Sequence, residues 1–302
     1  MMKPLKLGII GMSEGNGHPY SWAAIFNGYD HGYMQCCEFP IILEYLAKRK
    51  FPEDILSTGR VTHIWTQDRS KSEQIARASK IETVVDSFVD MIGHIDGVLL
   101  ARDDAENHFY YAKPFIEASL PIYIDKPIAL SREGLDSIYQ LQKYPGQIFT
   151  CSALAYAKEF QLSADVLKNI GVLKCIQATT PKSWAKYAVH IIEPMLKLIG
   201  NEGKILQTDY TSVSNNGSIL YIKWESGFWA SISALGDDVV APLSLRLIGS
   251  ENWQDLILKD SFAAFKAALA DFTEGVIHSD VRTDPMFVQR VVSLLEKGNP
   301  SQ

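Results

Sequence analysis

The chain has 302 residues, 47% hydrophobic and 21% charged, with 13 Tyr, 13 Phe and 6 Trp. That length suits two domains at roughly 150 residues each, and the apolar fraction excludes disorder, collagen-like repeats and a coiled coil as the main structure. Twenty-nine Lys and Arg against 35 Asp and Glu leave a net charge of −6, so nothing holds a polyanion globally: nucleic acid is not expected as a partner, and a small molecule is.

The opening, MMKPLKLGIIG, runs from two lysines into a short apolar stretch and a glycine, which leaves no room for the apolar core of a signal peptide. No run of 18 apolar residues follows anywhere, so no membrane span is expected and the cytoplasm is the expected compartment. Leu5 to Ile10 reads as a strand buried on both faces. Helical periodicity follows at Ser21 to Phe26 and Ile41 to Arg49. Val61 to Trp65 is the second strand and Lys71 to Ser79 the next helix. Val98 to Ala101, His108 to Ala118 and Pro121 to Ile124 repeat the strand–helix–strand unit, which ends on Asp125-Lys126-Pro127. Alternation of this kind gives parallel βαβ units and a doubly wound sheet, whose ligands bind at the carboxyl ends of the strands.

After a helix at Arg132 to Lys143 and a strand around Ile148 to Ala153 the pattern changes. A helix near Phe160 to Asn169, a strand at Leu173 to Thr179 and the stretch Trp184 to Ile199 lead to five strands in succession. These are Ile205 to Val213, Ser218 to Trp224, Phe228 to Ala234, Leu243 to Ile248 and Trp253 to Leu258. Asn216-Gly217 reads as a two-residue hairpin turn, and Glu225-Ser226-Gly227 as a short loop, so neighbours should pair antiparallel. Helices at Ser261 to Glu274 and Asp284 to Glu296 close the chain, Asp284 serving as N-cap. The fold expected is α/β, with an N-terminal doubly wound Rossmann-type parallel sheet (1–128) and a C-terminal α+β domain with an open, mostly antiparallel sheet (129–302). Cys36, Cys37, Cys151 and Cys175 lack the spacing of a metal or redox motif and read as reduced core thiols; no metal is expected.

Gly8-Ile-Ile-Gly11-Met-Ser13-Glu-Gly15-Asn-Gly17 directly follows the first strand, where a dinucleotide-binding turn needs backbone close to a pyrophosphate. Its spacing departs from the fingerprint, with Ser13 where a glycine belongs. A glycine-rich turn with no ligand fits these residues equally well. At the end of the second strand, Asp68 could reach a ribose, while Thr66 and Arg69 could accept a 2′-phosphate, so NAD and NADP both stay open. Tyr20, in the aromatic stretch that lengthens the first crossover, offers a stacking face suited to a sugar, or a core side chain.

The segment from Asp96-Gly97 through His108 to Asp125-Lys126-Pro127 resembles the nicotinamide-proximal stretch of the Gfo/Idh/MocA oxidoreductases, the glucose-fructose oxidoreductase and inositol dehydrogenase family. The hallmark triplet of that family is Glu-Lys-Pro; here it is Asp-Lys-Pro. The two-domain plan and the closing helix around Val281 to Leu295 resemble the family as well. The resemblance implies that His108, Asp125 and Lys126 lie against the cofactor with Gly11, Ser13 and Gly15. A second family motif, Asp, Gly, His and Asp, is matched in part: His190 and Glu193 agree, but Lys186 and Ala188 replace the first acid and the glycine. Trp184, Lys186, Tyr187 and Glu193 are therefore expected around the substrate, with Glu193 orienting the imidazole from the same helix face.

The implied chemistry is hydride transfer between a nicotinamide and a carbinol or carbonyl carbon of a sugar, sugar acid or nucleotide-linked sugar. His190 would exchange the hydroxyl proton, and Lys126 would stabilise developing negative charge, the two meeting at one crevice. The competing expectation is a non-enzymatic regulatory protein that binds dinucleotide or sugar on the same fold. Aromatics on Ser218 to Trp224 and Phe228 to Ala234 should leave an apolar sheet face, hence a homodimer or homotetramer.

Overall fold

The computed structural model describes residues 3–200 and 202–299. Strands β1 (Leu5–Ile10), β2 (Gly59–Trp65), β3 (Thr83–Val84), β4 (Gly97–Leu100), β5 (Ile122–Ile124) and β6 (Ile148–Phe149) form one sheet in the order β3-β2-β1-β4-β5-β6. Every pairing is parallel. Leu7, Ile9, Ile10, Val98, Leu99, Leu100 and Ile122 to Ile124 are fully buried, as strands covered on both faces must be. The short edge strand β3 lies outside the sequence expectation, because two residues carry no readable period. The strand order reverses between β1 and β4, and that is where a doubly wound sheet opens a crevice.

The first crossover is longer than one helix. It holds α1 (His18–Asn27), the single turn α2 (His31–Met34) and α3 (Pro40–Leu46). All of Pro19 to Phe26 is buried, and a helix apolar around its whole circumference belongs in a core. Trp22 stacks between His18, at 5.0 Å, and Tyr123 of β5, at 4.7 Å. Helix α4 (Arg69–Ala78) starts where Asp68 accepts from Ser70 N. Helix α5 (His108–Glu117) precedes β5, and α6 (Arg132–Tyr139) precedes β6.

The second compact unit holds Leu130–Arg132, Cys151–Ala264 and the chain from Pro285 onward; Glu133–Thr150 and Phe265–Asp284 group with the first unit. The expected single division at 128/129 thus marks only the end of the first continuous segment. In the second unit, α7 (Ala164–Ile170), β7 (Leu173–Thr180), α8 (Trp184–Tyr187) and α9 (Val189–Leu198) lead to β8 (Ile205–Val213), β9 (Gly217–Trp224), β10 (Trp229–Ala234), β11 (Ser244–Gly249) and β12 (Trp253–Ile257). Helix α10 (Ser261–His278) and α11 (Pro285–Lys297) follow. The sheet order is β12-β11-β7-β10-β9-β8, antiparallel except for β10 with β7.

The turn between β8 and β9 differs in detail from the expected Asn216-Gly217 pair. Asn215 and Asn216 take the left-handed conformation, and Gly217 already pairs with Val213. Glycine is needed there because a Cβ would come within 2.4 Å of the Val213 side chain. The four cysteines are free, but Cys36 is exposed and so is no core thiol. Its position beyond the single turn of α2 puts it at the surface, while Cys37, the next residue, points inward. Among the described residues no helix is long and apolar enough to cross a membrane.

Trp184 anchors the second unit. It is 2% exposed, and its indole N–H donates to Leu295 O of α11 at 2.8 Å. Replacing Trp184 with Ala should cost about 3–5 kcal/mol of unfolding free energy, and with Phe, which sacrifices chiefly the hydrogen bond, about 1–2 kcal/mol; urea unfolding followed by circular dichroism measures both.

Candidate active site

Gly11 closes β1 by donating to Trp65 O at 3.0 Å, and only glycine fits, because a Cβ would stand 2.4 Å from the Pro19 ring. The next peptide is clamped from the end of β2. Met12 N donates to Gln67 Oε1 at 3.1 Å, and Gln67 Nε2 donates to Met12 O at 2.6 Å. Ser13 is buried and faces β4: its hydroxyl donates to Asp103 Oδ1 at 2.6 Å and accepts from Asp103 N at 3.0 Å. Gly15 has φ +77, with nothing within 4 Å of the position a Cβ would take.

Buried charges gather at the ends of β4 and β5. Arg102 grips Asp104 with two hydrogen bonds of 2.9 and 2.5 Å, reaches Met12 O at 3.2 Å, and lies 4.4 Å over the Tyr111 ring. Burial works to raise the Asp104 carboxyl, but hydrogen bonds from Arg102 and Asn107 outweigh it and hold the group below its ordinary value. Lys126 is 4% exposed. Its ammonium lies 3.5 Å from Asp103 Oδ2, and its backbone N–H donates to Asp125 Oδ1 at 2.8 Å. The other Asp125 oxygen accepts from Asn16 Nδ2 at 3.0 Å and lies 2.5 Å from His18 Nδ1. His108 is fully buried, with Nδ1 3.1 Å from Ile128 O and Nε2 2.8 Å from Arg102 O. It braces the loops that carry Arg102 and Lys126.

The structure thus brings Gly11, Ser13, Gly15, Asp125 and Lys126 together and sets the other expected residues apart. Thr66 is buried, its hydroxyl bonded to Asp68 O and Ser72 Oγ. Asp68 caps α4, and Ser70 holds its carboxyl below the usual range. Arg69 pairs with Asp86 and Glu73. Tyr20 is 1% exposed, and burial pushes its phenol well up, so it is a core side chain of α1. Asn16, His18, Gln67, Arg102 and Asp103 were missed from sequence. The signals were the four charged residues among the five from Arg102 to Glu106, after a buried strand, and His-Pro at a helix start.

In the second unit, His190 and Glu193 both project from α9 onto Ser152. Ser152 N donates to Glu193 Oε2 at 2.5 Å, and Ser152 Oγ lies 2.8 Å from His190 Nδ1. The expected orienting of the imidazole by Glu193 therefore runs through Ser152. Burial raises the Glu193 carboxyl, opposed by Lys197 at 3.1 Å. Tyr187 meets the His190 ring edge-on at 5.3 Å and accepts from Lys182 Nζ at 2.8 Å. Lys186 lies one residue before it on α8, half-buried, whereas Trp184, expected beside the substrate, is the core anchor described above.

Residues 6–152 match the model of an oxidoreductase family with an NAD-binding Rossmann fold, Gfo/Idh/MocA. That segment belongs to the family. Solved structures similar to the whole chain include a myo-inositol dehydrogenase from Lactobacillus casei in complex with NAD(H) and myo-inositol (13% identity, TM-score 0.74, 99% of this chain and 94% of that one). A myo-inositol 2-dehydrogenase from Lactobacillus plantarum is 14% identical, with TM-score 0.70 over 97% of this chain and 96% of that one. The UDP-N-acetylglucosamine 3-dehydrogenase GnnA from Acidithiobacillus ferrooxidans is 13% identical, with TM-score 0.68 and the same coverage. At such identities the likeness is one of fold. No curated protein sequence matches the chain. The turn of this Gfo/Idh/MocA segment suits a dinucleotide at Gly15, where the space a side chain would fill is open to a pyrophosphate. It departs from the usual fingerprint at Ser13, which is tied to Asp103.

Because burial raises the Glu193 carboxyl above its ordinary value, the native state binds that proton more tightly than the unfolded chain, and stability falls as pH rises through the raised value. Replacing Glu193 with Gln should flatten this loss: the melting temperature of the variant relative to the wild type should climb from pH 4 to pH 8, as read by calorimetry at matched ionic strength.

Proposed function

We propose that this protein is an NAD-dependent oxidoreductase that interconverts a carbinol and a carbonyl on a sugar-like substrate, in keeping with the family of its N-terminal segment. Lys126 carries the reading. An ammonium 4% exposed at the carboxyl end of a central parallel strand, 3.5 Å from the Asp103 carboxylate, supports a role in ligand chemistry rather than in solubility. A bound nicotinamide ring would supply the hydride acceptor or donor. Gly15 would let backbone approach the pyrophosphate, Asp125 would hold the Lys126 backbone, and Lys126 would stabilise negative charge growing on the substrate oxygen. His190, positioned through Ser152, is the candidate in the second unit for exchanging the hydroxyl proton, with Lys186 and Tyr187 beside it for substrate contacts.

NAD is favoured over NADP because the two groups that could receive a 2′-phosphate are engaged elsewhere. Thr66 is buried in its own turn, and Arg69 is neutralised by Asp86 and Glu73. An added phosphate beside those acids would be repelled, so NADH should bind about tenfold or more tightly than NADPH in a fluorescence titration. A panel led by myo-inositol and UDP-N-acetylglucosamine, the compounds named for the similar structures, followed by nicotinamide absorbance, should reveal turnover. Lys126→Met should then lower kcat by about 10²–10³. Binding of NADH with no turnover anywhere on the panel would replace the enzyme with a dinucleotide-binding regulator.

The second-unit sheet leaves Tyr221 and Trp229 half-exposed 5.8 Å apart, and Leu206 of β8 is 63% exposed. Apolar groups of this kind on a sheet face favour association. A dimer or tetramer should appear by light scattering at micromolar concentration, and a Trp229→Glu variant should lose mass.

A further inference from the structure

We propose that His18, oriented by Asp125, exchanges the substrate hydroxyl proton in place of His190, the candidate of the second unit, and that the turn between β1 and α1 delivers it. This rests on the dehydrogenase reading. The His18 ring is fixed on three sides. Its Nδ1 lies 2.5 Å from Asp125 Oδ2. One face stacks on Trp22 at 14° between planes, and the edge of Phe265 closes another side at 5.0 Å. The side chain keeps 16% of its surface accessible, against 1% for Asp125. A buried carboxylate on one ring nitrogen sets the tautomer with the proton at Nδ1 and leaves Nε2 as the acceptor.

Asp125 also ties this imidazole to Lys126. One of its oxygens takes the Lys126 backbone N–H at 2.8 Å; the other takes Asn16 Nδ2 at 3.0 Å and faces His18. Asn16 in turn accepts from His18 N at 2.7 Å. A single carboxylate, buried at the end of β5, thereby holds both the backbone of Lys126 and an imidazole in the same unit. The residues that do this, Asn16 and His18, belong to the part of the turn that departs from the dinucleotide fingerprint.

The step assigned to His18 is a proton transfer. The O–H bond of the carbinol breaks with its electron pair left on oxygen, an N–H bond forms at Nε2, and the C–H hydride of the same carbon is taken by the oxidised nicotinamide dinucleotide. The reverse direction returns the proton from Nε2 to the carbonyl oxygen.

Two readouts test this on the full chain. In protein labelled with ¹⁵N-histidine and free of dinucleotide, the His18 signal should report a proton on Nδ1, and Asp125→Asn should abolish that state. His18→Gln should retain NADH affinity within about threefold while losing about 10²-fold or more in kcat. His18→Ala should regain rate when free imidazole is added, a rescue that a purely structural histidine would not give. Should His18→Gln fail to fold, the tautomer measurement on the wild type and the imidazole rescue decide. A proton on Nε2 alone, a His18→Gln rate within about threefold of the wild type, or a folded His18→Ala that imidazole does not revive overturns the assignment. A wild type that neither binds NADH nor turns over the panel overturns the dehydrogenase reading as well, whereas turnover indifferent to His18 but lost in His190→Gln overturns this inference alone.

Discussion

Charge brought out of water at the carboxyl ends of β1, β4 and β5 governs the architecture of the first unit. Asp103, Asp125, Arg102 and Lys126 are each no more than 6% exposed. A buried charge without partners costs several kcal/mol, so each must be matched by an opposite charge or by hydrogen bonds of good geometry. The partners here come from four separate loops: Ser13, Asn16 and His18 from the first turn, Gln67 after β2, Asp104 after β4, and the backbone of Lys126 after β5. The parallel sheet is what makes that possible, since it brings all these chain ends to one edge.

This arrangement is worth little as a stability device. Replacing a buried ion pair by apolar residues is often neutral or favourable, whereas removing one partner leaves the other stranded. A set of charges held at such expense is better explained by chemistry at the site. The same reasoning separates Lys126 from Arg69, whose exposed ion pairs contribute little and leave no trace of a ligand. It also separates His190, which shares Ser152 with a buried Glu193, from His108, whose two nitrogens are consumed by backbone carbonyls and whose work is to brace.

Much of this was legible in the chain. Buried parallel strands announce themselves as short continuous apolar runs, so β1, β2, β4 and β5 and their helices fall close to the expected positions. The strands β8 to β12 were readable from alternation, and the antiparallel pairs β8–β9 and β9–β10 from their turn residues, but the insertion of β7 between β10 and β11, parallel to β10, was not. Lys126 and Asp125 stood out through the triplet that ends a strand, and His190 with Glu193 through a partly matched motif. The short pieces were not legible: β3 has two residues and α2 a single turn, too brief for any period to register. Nor were the roles of Trp184, Tyr20 and Thr66, because an aromatic or a hydroxyl at a helix start reads the same whether it faces a ligand or a core.

Composition, period and the Asp-Lys-Pro triplet by themselves determined a two-part α/β chain with a nucleotide-type first sheet, because these depend on neighbours within a few residues along the chain. Which side chains meet was decided only by the tertiary structure. Ser13 and Asp103 are 90 residues apart, and His18 and Asp125 are 107 apart. Local pattern carries no information about pairs so distant; the parallel register of β1, β4 and β5 alone brings them within hydrogen-bonding distance.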